Sequence, residues 1–208
     1  MADTLDLTEM ERRSQKYWNV DGLPELLMGL LWMLWGGCWL FGQSLPRGAA
    51  WNVYWMFTPA LLALSGVASV WATKKLKTRI TFPRTGYVEW KGPTQGQRFT
   101  AAAVAMATAS LLVALIVKSR TEGLEHLAAP GLGVLLSLGF VVASLSQKAP
   151  HLLALAGVAL ILGLALGTWK AGWDAMNWML IGLGAATALL GTVRLWTFLR
   201  THPLAQRA

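Results

Sequence analysis

Ionisable residues are scarce in this chain of 208 residues, of which only 13% are charged whereas 55% are hydrophobic. The apolar residues form runs that are too long for the core helices of a soluble domain, and crossing a bilayer takes about 20 such residues. The composition therefore predicts a polytopic membrane protein with one membrane domain. The net charge of +8 is explained by basic loops that flank membrane spans, so no nucleic-acid partner is expected.

Cysteine and histidine are nearly absent, with one Cys and three His. Cys38 lies inside the first apolar run, cannot close an internal disulfide and is read as a packing residue. No Cys, His or carboxylate cluster has the spacing of a metal site. His126 is predicted on the side of the membrane opposite to His151 and His202, so the histidines cannot hold a haem between helices. We expect no metal ligands.

Charged residues are also missing from the interior of the predicted spans. Glu25, Asp174 and Arg194 fall near span ends, where snorkelling accounts for them. A proton relay needs ionisable groups at depth, so proton-coupled transport is not predicted. Ser65 has no buried base beside it, which argues against serine chemistry. We therefore predict no catalytic residues and expect that the protein is not an enzyme.

Six apolar windows predict an all-α bundle of six transmembrane helices, at approximately 23–43, 52–72, 99–117, 129–146, 151–169 and 175–195. The membrane domain then covers residues 23–198, followed by a cytoplasmic tail at 199–208. Residues 1–22 are predicted to form a cytoplasmic amphipathic segment, because Thr8 and Glu11 fit a capping box that can start a short helix.

The positive charges predict the orientation. With the amino terminus in the cytoplasm, all but four of the 18 Lys and Arg residues lie in inner segments. By the positive-inside rule, both termini are predicted to lie in the cytoplasm. The four residues on the outer side are Arg47, Lys118, Arg120 and Lys170.

Residues 73–98 form a basic cytoplasmic loop between the second and third spans. Pro83 and Gly86 suit a turn, so the segments ITF and YVEW are predicted to pair as a small hairpin, with Phe82 facing Tyr87. Two roles stay open for the loop: a topology anchor, or a contact with lipid headgroups or a partner. The residues predicted to make the headgroup or partner contact are Arg79, Phe82, Arg84, Tyr87 and Trp90.

Two stretches, ITFPRTGYVEW in this loop and YWNVDGLPELLMGL before it, resemble motifs of small bacterial polytopic membrane proteins of uncharacterised function, which share a (Y/F)PRTGYV cytoplasmic loop. The resemblance covers about a quarter of the chain, and Phe82 stands where those proteins usually have Tyr. It implies a bacterial inner-membrane location and implies no activity or catalytic residues.

Tryptophan is abundant, with twelve residues, most of them where an interfacial aromatic belt is expected. Trp32 and Trp35 are exceptions, because they lie about 12 and 16 Å from Pro24 in a layer of roughly 30 Å. They belong to an aromatic strip on the first helix. It either fills a gap between helices or forms a platform for an apolar guest such as a quinone, pigment or lipid chain. Its members are Met28, Trp32, Trp35 and Trp39.

Small residues at helical spacing predict close helix packing, within one chain or between protomers. They are Gly36, Gly37, Ala159, Gly163, Gly167, Gly184 and Ala188. The leading hypothesis is a non-catalytic membrane component, either an accessory subunit or a self-associating module. Its expected partners are lipids, other membrane subunits or further copies of the chain. The alternatives are a binder or transporter of an uncharged hydrophobic small molecule, and a lipid-modifying enzyme at the inner surface.

Overall fold

Helices form all the regular secondary structure in the computed structural model, which describes residues 21–85, 125–147, 149–169 and 173–203. Five of the described helices are long and apolar enough to cross a membrane. This agrees with a multi-pass membrane protein. The predicted third span at 99–117, the amino-terminal segment before residue 21 and the last five residues of the tail lie outside the described residues, so the count of six spans stays a prediction.

Two compact units make up the chain, and the first comprises Met1–Glu89 and Leu180–Ala208. Its first helix, α1, runs from Leu23 to Ser44. Pro24 stands in the first turn, where its missing N–H leaves no hydrogen bond unmade. Gly22 precedes the helix with a φ of 69°, a left-handed conformation that glycine adopts without steric cost. The sequence therefore starts α1 where the predicted span begins.

The second helix of this unit extends well beyond its predicted end at residue 72. Helix α2 runs from Ala49 to Leu76 and continues through a π-helical turn, Lys77–Thr81, into the short α3, Phe82–Thr85. The continuous helical rod Ala49–Arg84, which contains the apolar span, has 36 residues, or about 54 Å at 1.5 Å per residue. A hydrocarbon layer of about 30 Å cannot enclose all of it.

The predicted hairpin in the basic loop is wrong for its first strand, because the segment ITF is helical. The wide π turn comes directly before Pro83, whose ring and missing N–H disrupt regular α-helical hydrogen bonding. The N–H of Phe82 instead donates to the carbonyl of Lys77. Tyr87 and Trp90, the residues expected in the second strand, lie outside the described residues.

The second unit comprises Trp90–Met179. It contains a helical hairpin of α4, Ala128–Gln147, preceded by a 3-10 turn at Glu125–Leu127, and α5, His151–Trp169. Both helices agree with the predicted spans to within one residue. The hairpin packs tightly because glycines face backbone: a Cβ atom on Gly133 would lie 2.9 Å from the carbonyl oxygen of Ala159 and 2.9 Å from Cα of Gly163. Gly167 faces the ring of Pro130 in the same way.

The last helix, α6, runs from Trp173 to Thr201, which is six residues longer at its carboxyl end than predicted. From Leu180 onwards it belongs to the first unit and packs against α1. A Cβ atom on Gly184 would lie 2.7 Å from the carbonyl oxygen of Gly29, and one on Gly22 would lie 2.5 Å from that of Gly191. The first and last described helices therefore touch backbone to backbone.

Candidate functional site

A cluster of charged side chains lies where the start of α1, the π turn and the carboxyl-terminal half of α6 meet. Asp21 is 0% exposed and Lys77 is 1% exposed, so both side chains are fully enclosed. The Nζ atom of Lys77 lies 2.7 Å from Oδ2 of Asp21. We call this cluster the charged junction. Its members are Asp21, Glu25, Lys77, Thr81 and Arg194.

Three donors satisfy the carboxylate of Asp21. Lys77 Nζ and Thr81 Oγ1 each donate to Oδ2 at 2.7 Å, and the N–H of Leu23 donates to Oδ1 at 3.2 Å. Lys77 and Thr81 are four positions apart, so a helical turn places both on the side that faces Asp21. Charge-assisted hydrogen bonds of this kind are stronger than neutral ones, which offsets part of the cost of burying the ions.

A second ion pair follows one turn along α1. Glu25 Oε1 accepts a hydrogen bond from the guanidinium of Arg194 on α6. The side chains are 9% and 23% exposed, respectively, so this pair is less enclosed than the first. Glu25 and Arg194, which the sequence analysis places near span ends, bind each other, with Arg194 reaching across to α1. Two acids at the start of α1 thus bind two bases, one from the π turn after α2 and one from α6.

Part of the charged junction could have been recognised from the spacing of its residues in the sequence. Asp21 belongs to YWNVDGLPELLMGL, and Thr81 belongs to ITFPRTGYVEW, so the two stretches that carry the family resemblance contact each other through this hydrogen bond. Asp21 was predicted as a turn residue and as a candidate residue of an inner-surface enzyme, and Lys77 as one of several loop cations. Their four-residue spacings to Glu25 and Thr81 could have marked one polar side on each helix.

The aromatic strip on α1 partly faces α2. Trp35 Nε1 donates to Ser65 Oγ at 3.0 Å, and Ser65 in turn donates to the carbonyl of Leu62 at 2.7 Å. The rings of Trp39 and Trp55 lie 4.7 Å apart. Met28 is 44% exposed, and Trp32 is partly buried. The two tryptophans at the far end of the strip therefore fill space between helices of one chain.

More aromatic contacts surround the connection between α1 and α2. The hydroxyl of Tyr54 donates to the carbonyl of Cys38 at 2.5 Å, and the ring of Tyr54 meets that of Phe41 edge-on at 5.6 Å. A Cβ atom on Gly42 would collide with the Tyr54 ring. Gly36 is buried, whereas Gly37 has no atom within 4 Å of the position of a Cβ. Gly36 and Gly37 were both predicted to allow close packing of a neighbouring helix. Gly36 is enclosed, whereas Gly37 faces open space.

The predicted small-residue positions on the other helices lie at close contacts within one chain. Ala159, Gly163 and Gly167 of α5 face α4, and Gly184 and Ala188 of α6 face Gly29 of α1. In the predicted loop site, Arg79 is exposed, while Phe82 and Arg84 are partly buried. The Nε atom of Arg84 is enclosed and has no acceptor in the part of the chain that the structure describes.

One buried polar residue was missed by the sequence reading. Asn177, near the start of α6, is 0% exposed, and within the described ranges neither its side-chain nitrogen nor its oxygen has a hydrogen-bond partner. A buried amide without partners costs stability, typically about 1–3 kcal/mol. Nothing in a single sequence distinguishes this asparagine from one at a membrane surface.

Among the described residues, no three His, Cys, Asp or Glu side chains are placed to hold a metal ion together. The acids and bases of the charged junction bind one another, and only Arg194 is appreciably exposed among them, so their geometry suits the joining of three helical segments. Comparison with models of protein families, with curated protein sequences and with solved structures found no match.

Proposed function

We propose that this chain is a non-catalytic, multi-pass component of a bacterial inner membrane that works by packing against partner helices and lipid. One observation carries the proposal: the apolar part of α2 is almost wholly exposed. Only 6% of the window in Ala49–Arg84 is buried, against 22–33% in the other four candidate spans. The outward residues of α2 include Val53, Met56, Phe57, Leu61, Leu64, Val67 and Val70.

The polar groups of α2 support this function. Thr58 Oγ1 donates to the carbonyl of Tyr54, and Thr73 Oγ1 donates to that of Ser69, so both hydroxyls are satisfied by the helix itself. Ser65 is engaged by Trp35 and by its own helix. The large residues on the outward side are aliphatic or aromatic and suit contact with acyl chains or with another apolar helix.

The charges support an architectural role as well. Removing Asp21 and Lys77 from water is costly, and neither group is open to a substrate. Their geometry fixes the start of α1 against the end of the α2 rod. The alternative of an inner-surface lipid-modifying enzyme would use Asp21, Glu25 or Arg84. Its two carboxylates accept hydrogen bonds from bases of the same chain, which does not favour their use as an acid or base toward a substrate.

A binder of an uncharged apolar molecule is the second candidate. Met28 at 44% exposure, Met33 at 36% and the partly buried Trp32 leave an open apolar surface near the start of the aromatic strip. A lipid chain, quinone or pigment could lie there without any buried charge. Trp35 and Trp39 contribute less to such a platform, because their rings contact α2 residues.

Native mass spectrometry of the chain, extracted from its own membrane into lipid nanodiscs, tests the function. We expect the chain to leave the membrane together with another polypeptide or a second copy. An outward Ala63→Trp substitution on α2 should reduce that association, whereas Ala165→Trp, exposed on α5, should not. A single chain with a stoichiometric, coloured or apolar guest would support the second candidate. A single chain with neither would overturn the proposal.

A further inference from the structure

The inner ends of α2 and α6, as oriented by the positive-inside rule, contain cations and no acids. The sequence has no Asp or Glu between Gly66 and Val88, and none between Ala175 and Ala208. The nearest described acids are Asp21 and Glu25, and both are buried. Uncompensated positive charge on a membrane protein attracts anions.

The structure sorts these cations into two groups. Lys77 and Arg194 turn inward and neutralise Asp21 and Glu25. Four other cations are exposed, namely Lys74, Lys75, Arg79 and Arg200, whereas Arg84 is partly buried and belongs to neither group. In the part of the chain that the structure describes, both acids of the charged junction are paired from within, so the exposed group carries charge of one sign. We call these four residues the basic collar.

Two members of the basic collar stand over tryptophan rings. Lys75 Nζ lies 4.4 Å from the ring centroid of Trp71, and the guanidinium carbon of Arg200 lies 3.7 Å from that of Trp196. The tryptophans are 61% and 56% exposed. Each cation follows its tryptophan by one helical turn, on the side away from the apolar span. Indole rings favour the level of the headgroups, and the cations next to them then face lipid phosphates.

The length of α2 gives the depth of the collar. Trp51 and Trp71 are separated by twenty positions, or about 30 Å, which is the thickness of the hydrocarbon layer. With these two rings at the two interfaces, Lys74 and Lys75 lie about 5 and 6 Å beyond the hydrocarbon, within the headgroup layer. Arg79 lies about 12 Å beyond it, outside a headgroup layer of about 5–7 Å.

We propose that the basic collar binds the headgroups of anionic phospholipids, which would lie against the exposed indoles of Trp71 and Trp196 and accept hydrogen bonds from the surrounding cations. Complementarity of charge selects this occupant: Asp21 and Glu25, the described acids nearby, are paired within the chain, and Lys74 and Lys75 lie at the depth of the lipid phosphates. The site differs from the hairpin predicted from the sequence, because its cations lie on continuous helices.

Lipid retention measured by native mass spectrometry tests the proposal, with the full chain in nanodiscs of mixed phosphatidylglycerol and phosphatidylcholine. We expect phosphatidylglycerol to be retained preferentially. In the triple variant Lys74→Gln, Lys75→Gln, Arg79→Gln, the preference for phosphatidylglycerol should fall about fivefold for each removed charge that contacts the leaflet. The matched triple variant Lys74→Arg, Lys75→Arg, Arg79→Lys should retain it. Arg47→Gln, an exposed cation in the α1–α2 connection, should retain it too.

Several results would overturn the proposal. An unchanged preference in the Gln triple variant would show that the collar does not bind the lipid, and an equal loss in Arg47→Gln would show only a response to overall charge. Competition by inorganic phosphate would point to a free anion as the ligand. If the Gln triple variant fails to insert, the single variants Lys75→Gln and Arg200→Gln give the same test, since each removes one cation from one tryptophan ring.

Discussion

The Nζ atom of Lys77 lies 2.7 Å from Oδ2 of Asp21, across a sequence separation of 56 positions. This contact joins the residue before α1 to the first residue of the π turn that follows α2. Both side chains are enclosed, and Thr81 adds a third polar group. The contact makes the carboxyl-terminal extension of α2 part of the folded core and not a free loop.

Replacing Lys77 by Met should destabilise the protein strongly. The substitution leaves the Asp21 carboxylate buried without its cation, and breaking a buried pair in this way costs about 3–5 kcal/mol. Unfolding of the purified protein in mild detergent by graded addition of a denaturing detergent measures the effect. Lys74→Met removes an exposed charge one turn earlier and should leave the midpoint unchanged. Equal midpoints for the two variants would contradict the structure.

Replacing Arg194 by Gln should have a smaller effect of the same sign. The Arg194 side chain is 23% exposed, so water replaces part of the hydrogen bond that Glu25 loses. A hydrogen bond to a charged group contributes about 1.5–3 kcal/mol when enclosed, and we expect the lower end of this range. The same unfolding experiment, with Arg200→Gln as the exposed control, measures it. A loss larger than that of Lys77→Met would reverse the ranking of the two pairs.

Adding one methyl group at Gly184 should destabilise the contact of α6 with α1. The new Cβ would lie 2.7 Å from the carbonyl oxygen of Gly29 and 2.8 Å from the backbone nitrogen of Met33, and neither atom can move alone. Overpacking of this kind costs about 1–3 kcal/mol. Gly37→Ala provides the control, because nothing lies within 4 Å of its Cβ position. Thermal aggregation in detergent should distinguish them, and a stabilised Gly184→Ala would disprove the close approach.

Replacing Asn177 by Leu should stabilise the protein. The buried amide makes no hydrogen bond, and an apolar side chain of similar size removes an unsatisfied polar group worth about 1–3 kcal/mol. The midpoint of detergent unfolding measures the change. As a control, Asn52→Leu alters an exposed asparagine near the start of α2 and should leave stability unchanged. A destabilised Asn177→Leu would indicate that the amide binds a polar group in the membrane.

Reporter fusions test the orientation that the basic residues predict. Green fluorescent protein fused after Ala208 should fluoresce, and alkaline phosphatase fused at the same position should be inactive, because both termini are expected in the cytoplasm. Fusions within the Leu45–Gly48 connection should give the opposite pattern. Active phosphatase at the carboxyl terminus would invert the topology and would place the basic collar on the outer leaflet.

The sequence predicted the described spans well where a span is bounded by strong signals. Pro24 marks the start of α1, and Pro150 marks the start of α5, so both boundaries agree with the structure. The end of α2 was misplaced because charge was taken as the end of the helix, whereas Lys74 and Lys75 continue it at headgroup depth. A helix can continue through polar residues, but a hydropathy window registers only its apolar part and therefore places the end of the helix too early.

The charged junction could not be predicted from periodicity, which places residues on sides of their own helix and contains no information about which helices meet. Asp21 and Lys77 are identified as a pair only by the three-dimensional contact. Trp35 is an intermediate case. Its depth predicted that the indole needs a partner, and the structure supplies Ser65, but no local pattern distinguishes Ser65 from the other hydroxyls of α2.

The contact of Gly29 with Gly184 also constrains biosynthesis. Helix α1 precedes α6 in the chain, yet the glycines that cover it belong to α6, the last described helix. A nascent chain that stalls before α6 therefore keeps Gly29 uncovered and lacks the hydrogen bond between Glu25 and Arg194. The first unit can close only after α6 has been synthesised.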